Sequence, residues 1–172
     1  QYLIDCKDIS KVFIVTDKSM VELGFMNKIV DQLKSRRNEV TIQLFTDVEP
    51  DPDISTVKKG ASLMESFKPD TIIALGGGSV MDAAKGMWLF YEHPEVNFDD
   101  LKQKFMDIRK RAFKFPQLGK KTKLICIPTT SGTGSEVTPF AVISDREHQK
   151  KYPLTDYSLT PTIAMIEPEF TT

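Results

Sequence analysis

Short apolar runs alternate along this chain with longer stretches in which apolar residues recur every three or four positions. The runs predict buried strands, and the longer stretches predict helices that pack against them. The predicted strands are residues 11–17, 40–45, 71–75, 123–127 and 163–166. The predicted helices are residues 19–37, 52–68, 79–91 and 98–113, and Asp51 is the expected N-cap of the second. This alternation is typical of an α/β fold with a mostly parallel sheet flanked by helices.

A β-hairpin is predicted near the C-terminal end of the chain. Two β-prone runs, residues 137–144 and 151–154, are separated by a charged turn at 145–148. Residues 92–122 differ in character, because His93-Pro94 ends a helix and a basic cluster extends from Arg109 to Lys123. A solvated helix face explains such a cluster, and a partner surface is the alternative.

Composition and charge narrow the class of protein. The 172 residues, of which 40% are hydrophobic, suit one domain with a sizeable core. A net charge of −1 gives no electrostatic reason to expect nucleic acid or a membrane as partner. Cys126 lies in an apolar strand, so we expect a free buried thiol in a reducing cytoplasm. Both ends of the chain are expected to be cuts in a longer protein.

The stretch from Thr71 to Asp82 is the strongest candidate for a binding site. Strand 71–75 runs into three glycines, Gly76–Gly78, and Ser79 then opens the next helix. Such a turn offers free backbone N–H groups and the positive end of a helix dipole to an anion. Because glycine has no Cβ, a phosphate can approach closely, and a dinucleotide is the expected ligand. A Ser79–Asp82 capping box is the alternative, but it leaves the three glycines unexplained.

Polar residues follow two further strands at the sheet edge where α/β folds bind ligands. Asp17 ends the first strand, where a carboxylate can accept the hydroxyls of an adenosine ribose and repel a 2′-phosphate; a helix-cap role is the alternative. The hydroxyl-rich loop from Thr129 to Ser135 follows strand 123–127 and can hydrogen-bond a ribose. A Thr133–Glu136 capping box is the alternative for this loop.

Groups that could catalyse a reaction are scarce. His93 and His148 have no acidic or histidine partner three or four residues further along, so a metal site within the chain is not expected. No arrangement of nucleophile and base is visible in the sequence.

Two motifs carry a resemblance to a known family. The segments GGGSVMDAAK at 76–85 and PTTSGTGSEVT at 128–138 strongly resemble the iron-dependent (group III) alcohol dehydrogenases. Segments 87–94, 105–111 and 151–157 resemble the bifunctional aldehyde–alcohol dehydrogenases in particular. The resemblance implies that residues 1–172 form a Rossmann-like domain that binds NAD, and that an all-helical domain holding Fe²⁺ follows.

The resemblance also implies individual coenzyme contacts. The glycine turn would hold the pyrophosphate, Asp17 would read the ribose and favour NAD over NADP, and Asp51 would lie near the adenosine. Val80 stands where the family commonly has proline. The residues implied to contact the coenzyme are Asp17, Asp51, Gly77, Gly78, Ser79, Val80, Met81, Asp82, Thr129, Thr130, Ser131, Gly132, Thr133, Val142, Lys151 and Phe170.

The family's metal ligands, an aspartate and three histidines, lie beyond Thr172, so the resemblance implies no catalytic or metal-binding residue in this chain. The whole enzyme would reduce a small, acetaldehyde-like aldehyde to a primary alcohol with NADH, reversibly and in the cytoplasm. The chain alone is expected to be inactive. The alternatives are a zinc-dependent relative, such as a glycerol dehydrogenase or a dehydroquinate synthase, and an interaction module, since the bifunctional branch forms filaments and homo-oligomers.

Overall fold

The computed structural model describes residues 9–36, 38–96, 98 and 115–171. The five strands predicted for the sheet are all present in this part of the chain. In chain order the elements are β1 (Lys11–Val15), α1 (Lys18–Glu22), α2 (Phe25–Lys34), β2 (Thr41–Phe45), α3 (Ile54–Phe67), β3 (Thr71–Gly76), α4 (Gly78–Glu92), β4 (Lys123–Pro128), β5 (Phe140–Asp145), β6 (Lys150–Thr155) and β7 (Ile163–Ala164).

Five strands form one parallel sheet in the order β2-β1-β3-β4-β7. Val15 pairs with Phe45 on one side and with Ala74 on the other, so the carboxyl ends of β1, β2 and β3 lie along one edge. A parallel sheet covered on both faces needs apolar strands, and β1, β3 and β4 are buried along nearly their whole length. The predicted α/β fold is confirmed.

Two apolar clusters form the core, one on each face of the sheet. Successive residues of a strand point to opposite faces. Phe13 and Ile72 therefore belong to the cluster that includes residues of α3 and α4, whereas Val12 and Ile73 belong to the cluster that includes residues of α2. The sheet is thus held between helices, with its carboxyl edge left open for a site.

The predicted helix 19–37 is two helices, and this prediction was wrong. α1 ends at Glu22, and α2 begins at Phe25. Gly24 between them adopts a left-handed conformation with φ 77°, which glycine tolerates because it has no Cβ. The apolar spacing continues through the break, so periodicity alone did not reveal it.

The start of the third helix was also predicted two residues too early. Asp53, not Asp51, is the N-cap of α3, and its carboxylate accepts the N–H of Ser55 at 3.0 Å. Asp51 has a left-handed backbone with φ 54°, which is incompatible with a helix start. Asp51 lies instead on the exposed loop before the helix.

The predicted hairpin is confirmed: β5 and β6 pair in antiparallel fashion, and β5 packs against α4. The predicted helix 98–113 lies outside the described residues except for Phe98, and so does most of the basic cluster. The ring of Phe98 packs against Phe90 with their centroids 4.7 Å apart. Of the helices in the described part of the chain, none has the length and apolar character needed to cross a membrane.

Candidate functional site

The glycine turn joins β3 to α4 as the sequence predicted. β3 ends at Gly76, Gly77 is the N-cap, and α4 begins at Gly78. Val80 and Met81 donate their N–H groups to the carbonyl of Gly77 at 3.1 and 3.2 Å. The N–H groups at the start of a helix have no acceptor within the helix, so the first N–H groups of α4 are available to an anion.

The alternative of a Ser79–Asp82 capping box was wrong. The cap position is Gly77, one residue before the start of the helix, and it makes no side-chain hydrogen bond. Asp82 instead accepts the N–H of Val142 on β5 at 3.0 Å. Burial raises the pKa of Asp82, while the Val142 N–H and the charge of Lys85 act in the opposite direction.

A loop of residues 129–139, here called the threonine loop, lies over the glycine turn. A Cβ on Gly77 would lie 3.2 Å from Oγ1 of Thr130, and a Cβ on Gly78 would lie 3.4 Å from Oγ of Ser135. A Cβ on Gly76 would lie 2.6 Å from Cγ2 of Val80. The three glycines therefore allow close packing of the turn within the protein, as well as close approach by a ligand.

The alternative of a Thr133–Glu136 capping box was wrong as well, because no helix starts in the threonine loop. Thr133 instead accepts the N–H of Ser135 through its hydroxyl at 3.4 Å, as in a short turn.

A cavity of about 1100 Å³ opens at the carboxyl ends of β1 to β4, between the glycine turn and the threonine loop. Such an edge is where open α/β sheets bind ligands. Half of the coenzyme contacts implied by the resemblance line this cavity: Asp17, Gly77, Gly78, Ser79, Val80, Thr129, Thr130 and Thr133. The structure therefore brings together the three features that the sequence had indicated separately: Asp17, the glycine turn and the threonine loop.

The sequence left two roles open for Asp17, and the structure shows the capping role directly. The carboxylate of Asp17 accepts the N–H of Met20 at 3.1 Å and so caps α1, which confirms the helix-cap alternative. The same side chain lines the cavity. A capping carboxylate keeps an oxygen free, so the cap does not prevent it from accepting a ribose hydroxyl.

Four implied contact residues lie near the cavity but do not line it. Met81 is fully buried in the core, and Asp82 binds β5. Ser131 and Gly132 form the exposed tip of the threonine loop, where Gly132 has φ 98°.

The other four implied contact residues lie further away: two on the hairpin, one on the loop of residues 49–53 and one on the opposite face of the sheet. Asp51 and Lys151 form an exposed ion pair at 2.8 Å, and Val142 is partly exposed on β5. Phe170 packs against Phe25 with ring centroids 4.8 Å apart, in the cluster that includes residues of α2. Their contacts with a coenzyme stay predictions.

Asp47 and Arg146 are among the charged residues that line the cavity without having been predicted. Asp47 lies two residues beyond β2, the same offset at which Asp17 follows β1, so the spacing could have revealed it. Its carboxylate pairs with Lys59 at 2.7 Å, and this hydrogen bond and charge lower the pKa of Asp47.

Arg146 reaches the cavity from the hairpin turn, which no local pattern could have indicated. Its guanidinium donates to Glu49 at 3.2 Å, and its main-chain N–H donates to Asp53 at 3.0 Å. Burial opposes ionisation of Asp53, but hydrogen bonds from Ser55 and Arg146 together lower its pKa. The hairpin is therefore fastened to the rim of the cavity.

The described residues contain no group of three or more histidine, cysteine, aspartate or glutamate side chains that could hold a metal ion. What this part of the chain offers is a helix N-terminus, a loop of hydroxyl groups and several carboxylates around one cavity. Such groups are suited to binding and orienting a ligand.

Comparison with known proteins decides the family. Residues 2–168 match the family described as iron-containing alcohol dehydrogenase. The chain belongs to the iron-containing alcohol dehydrogenase family. The resemblance stated from the two motifs is confirmed, and it extends over nearly the whole chain.

Relatives in this family are larger than the chain. An aldehyde-alcohol dehydrogenase from Streptococcus pneumoniae is 71% identical over 168 residues, which cover 98% of this chain and 19% of that protein. An NADPH-dependent butanol dehydrogenase from Clostridium saccharobutylicum is 46% identical over 169 residues, covering 98% of this chain and 41% of that protein. The predicted likeness to aldehyde–alcohol dehydrogenases is confirmed.

Solved structures of the family share the fold. An iron-containing alcohol dehydrogenase from Thermococcus thioreducens matches with a TM-score of 0.85 at 30% identity, over 98% of this chain and 42% of that one. A sulfoacetaldehyde reductase from Bifidobacterium kashiwanohense, in complex with NAD+, matches with a TM-score of 0.81 at 27% identity, over 99% of this chain and 42% of that one.

Proposed function

We propose that this chain binds NAD(H) in the cavity at the carboxyl ends of β1 to β4. The observation that carries the proposal is the glycine turn, which presents the N-terminus of α4 to this cavity opposite the threonine loop. The pyrophosphate lies at the helix N-terminus, where the dipole and the free N–H groups favour an anion. The NAD+ complex of the sulfoacetaldehyde reductase supports this choice of ligand.

The coenzyme is NAD rather than NADP. Asp17 and Asp47 both line the cavity beside the ends of β1 and β2, and a carboxylate there repels a 2′-phosphate. Lys59 neutralises Asp47 by pairing with it, so Asp17 carries the discrimination. The NADPH dependence of the butanol dehydrogenase relative makes a direct comparison necessary.

Calorimetric titration of the chain with NAD+ and with NADP+ tests both statements. We expect NAD+ to bind measurably and more tightly than NADP+. Equal affinity would remove the discriminating role from Asp17, and no binding of either dinucleotide would contradict the proposal.

In the whole protein this domain serves an iron-dependent alcohol dehydrogenase that reduces a small, acetaldehyde-like aldehyde to a primary alcohol with NADH. Fe²⁺, held by residues outside this chain, supplies the Lewis acid that polarises the aldehyde. The residues of this chain hold NADH and orient it for hydride transfer. The match to the iron-containing family favours this function over that of a zinc-dependent relative.

The chain alone is inactive, because its described residues offer no metal site. Loss of NADH absorbance with acetaldehyde and added Fe²⁺ should be seen with the full-length protein and not with the chain. Turnover by the chain would contradict this part of the proposal.

The free, buried thiol of Cys126 fits a reducing cytoplasm. Sedimentation of the full-length protein would test the expected oligomer or filament.

A further inference from the structure

Lys85 lies on α4, about two turns after the glycine turn, and its side chain is fully buried. An ammonium group leaves water unfavourably unless polar partners replace the water. Here Nζ donates to two main-chain carbonyls, those of Thr138 and Phe140, each at 2.7 Å. Neither the coenzyme contacts proposed above nor apolar packing accounts for a lysine at this position.

Asp82 lies one turn before Lys85 on the same helix and accepts the N–H of Val142 at 3.0 Å. The two side chains therefore hold three alternating residues of one segment: Thr138, Phe140 and Val142. Burial lowers the pKa of Lys85, and the charges of Asp82 and Glu136 act in the opposite direction by favouring its ammonium form. We call the pair of Asp82 and Lys85 the α4 clamp.

The other end of the threonine loop is attached to the same unit of structure. Thr129 donates its N–H to the carbonyl of Gly76, the last residue of β3, at 3.1 Å. The loop is thus fixed at its start to β3 and at its end to α4. Between these points, Thr130 lies against Gly77 and Thr133 lies against Gly78.

From this arrangement we infer that Lys85, together with Asp82, is a positioning residue for the coenzyme. The α4 clamp sets where the threonine loop returns to the helix, so the hydroxyl groups of the loop are held above the N-terminus of α4. Asp82 acts through the main chain of β5 and does not itself contact the dinucleotide. This inference rests on the proposed binding of NAD(H) in the same cavity.

The test compares the unsubstituted chain with Lys85→Met, Lys85→Gln and the control Lys58→Met, whose lysine is exposed on α3. NADH affinity is measured by fluorescence titration at a temperature where each variant is folded by circular dichroism. Amide hydrogen exchange is measured on peptides from residues 129–142 and, as an internal reference, from β1 and β3.

We expect Lys85→Met to weaken NADH binding by about tenfold or more, because two hydrogen bonds to a charged group are lost. Exchange should accelerate in residues 129–142 and stay unchanged in β1 and β3. Lys85→Gln keeps two N–H donors on a shorter side chain and should be intermediate. Lys58→Met should match the unsubstituted chain in every measurement.

Unchanged NADH affinity in folded Lys85→Met, or a uniform rise in exchange over the whole chain, would overturn the inference and leave Lys85 a stabilising role alone. If the unsubstituted chain does not bind NADH, the proposed function fails, while the exchange of residues 129–142 still decides whether the clamp exists. If neither Lys85 variant folds, the Val142 amide of the unsubstituted chain still tests the clamp, because exchange as fast as in an unfolded peptide would show that Asp82 does not hold it.

Discussion

Gly77 lies directly against Thr130: a Cβ added to the glycine would be 3.2 Å from Oγ1 and 3.3 Å from Cγ2 of the threonine. The backbone of Gly77 has φ −82°, which any residue can adopt, so the limit at this position is space and not conformation. The two loops that define the cavity therefore touch each other at the point where a phosphate would approach α4.

Gly77→Ala separates packing from ligand approach. We expect the substitution to lower the free energy of unfolding by about 1 kcal/mol through overpacking. We also expect it to weaken NADH binding, because a methyl group at the N-cap of α4 would leave less room for a phosphate to approach the backbone. Urea unfolding and fluorescence titration measure the two effects.

The double variant Gly77→Ala/Thr130→Ala distinguishes the effect of the methyl group on packing from its effect on ligand binding. Removing Oγ1 and Cγ2 of Thr130 makes room for the new methyl group, so stability should recover while NADH binding stays weaker than in Thr130→Ala alone. Recovery of NADH affinity to the level of Thr130→Ala would mean that Gly77 serves only the packing of the two loops.

Asp17 has a capping role and a proposed discriminating role, and two substitutions separate them. Asp17→Asn keeps a side-chain oxygen to accept the Met20 N–H, so the free energy of unfolding should be unchanged. Loss of the negative charge should raise the affinity for NADP+ relative to NAD+. Asp17→Ala should lose about 1 kcal/mol of stability as well, because the cap is removed.

Calorimetric titration with both dinucleotides, beside thermal unfolding, provides the measurements. Unchanged selectivity in Asp17→Asn would remove the discriminating role from Asp17.

What the sequence predicted well were features set by local chemistry. The apolar runs of β1, β3 and β4 are buried on both sides, so their composition alone indicated a parallel sheet. The glycine turn was equally accessible, because three consecutive glycines between a strand and a helix mark a point where the backbone turns or is approached closely, which needs residues without a Cβ. These predictions hold because neighbouring residues decide them.

The errors arose where distant residues decide the outcome. Asp51 and Asp53 are both plausible N-caps, but Asp53 also accepts the N–H of Arg146, which lies 93 residues later in the chain. Asp82 could have closed a capping box by sequence, yet its partner is Val142, 60 residues away. Such choices depend on the hairpin docking against α3 and α4, which no local pattern contains.

Glu92 at the end of α4 is a stabilising residue outside the site. Its buried carboxylate accepts the main-chain N–H groups of residues 119–122 and the indole N–H of Trp88. Glu92→Ala leaves the main-chain N–H groups of residues 119–122 without this acceptor, whereas the indole of Trp88 still donates to the carbonyl of Thr122 at 3.1 Å. The substitution should lower the free energy of unfolding by about 3 kcal/mol or more. Glu92→Gln keeps one oxygen acceptor and should lose less.

Urea unfolding of both variants, with the exposed Glu65→Ala on α3 as control, measures this effect. NADH affinity in folded Glu92→Gln should equal that of the unsubstituted chain, because neither Glu92 nor residues 117–122 line the cavity. A large loss of NADH affinity in Glu92→Gln without loss of stability would contradict the conclusion that Glu92 stabilises the fold and does not contribute to the binding site.

Cys126 on β4 predicts a change of stability at alkaline pH. Burial raises the pKa of its thiol from 9.0 to about 12, against the opposing effect of the Lys85 charge. Between these values the unfolded thiol gives up its proton while the folded thiol keeps it. The unfolded state then binds fewer protons, so the free energy of unfolding falls as pH rises above 9.0, by up to about 1.4 kcal/mol per pH unit.

Cys126→Ala isolates this contribution when both proteins carry Cys6→Ser, so that Cys126 is the only thiol in the reference chain. At neutral pH the alanine variant should be the less stable, because a cavity replaces the sulfur. The difference should narrow as pH rises above 9.0, since only the protein with the thiol loses stability by this route. Urea unfolding over the alkaline pH range measures this difference in the free energy of unfolding. Iodoacetamide should label Cys126 only after the protein has unfolded. A difference that stays constant, or rapid labelling of the folded chain, would show that the thiol is accessible and ionises as an ordinary cysteine does.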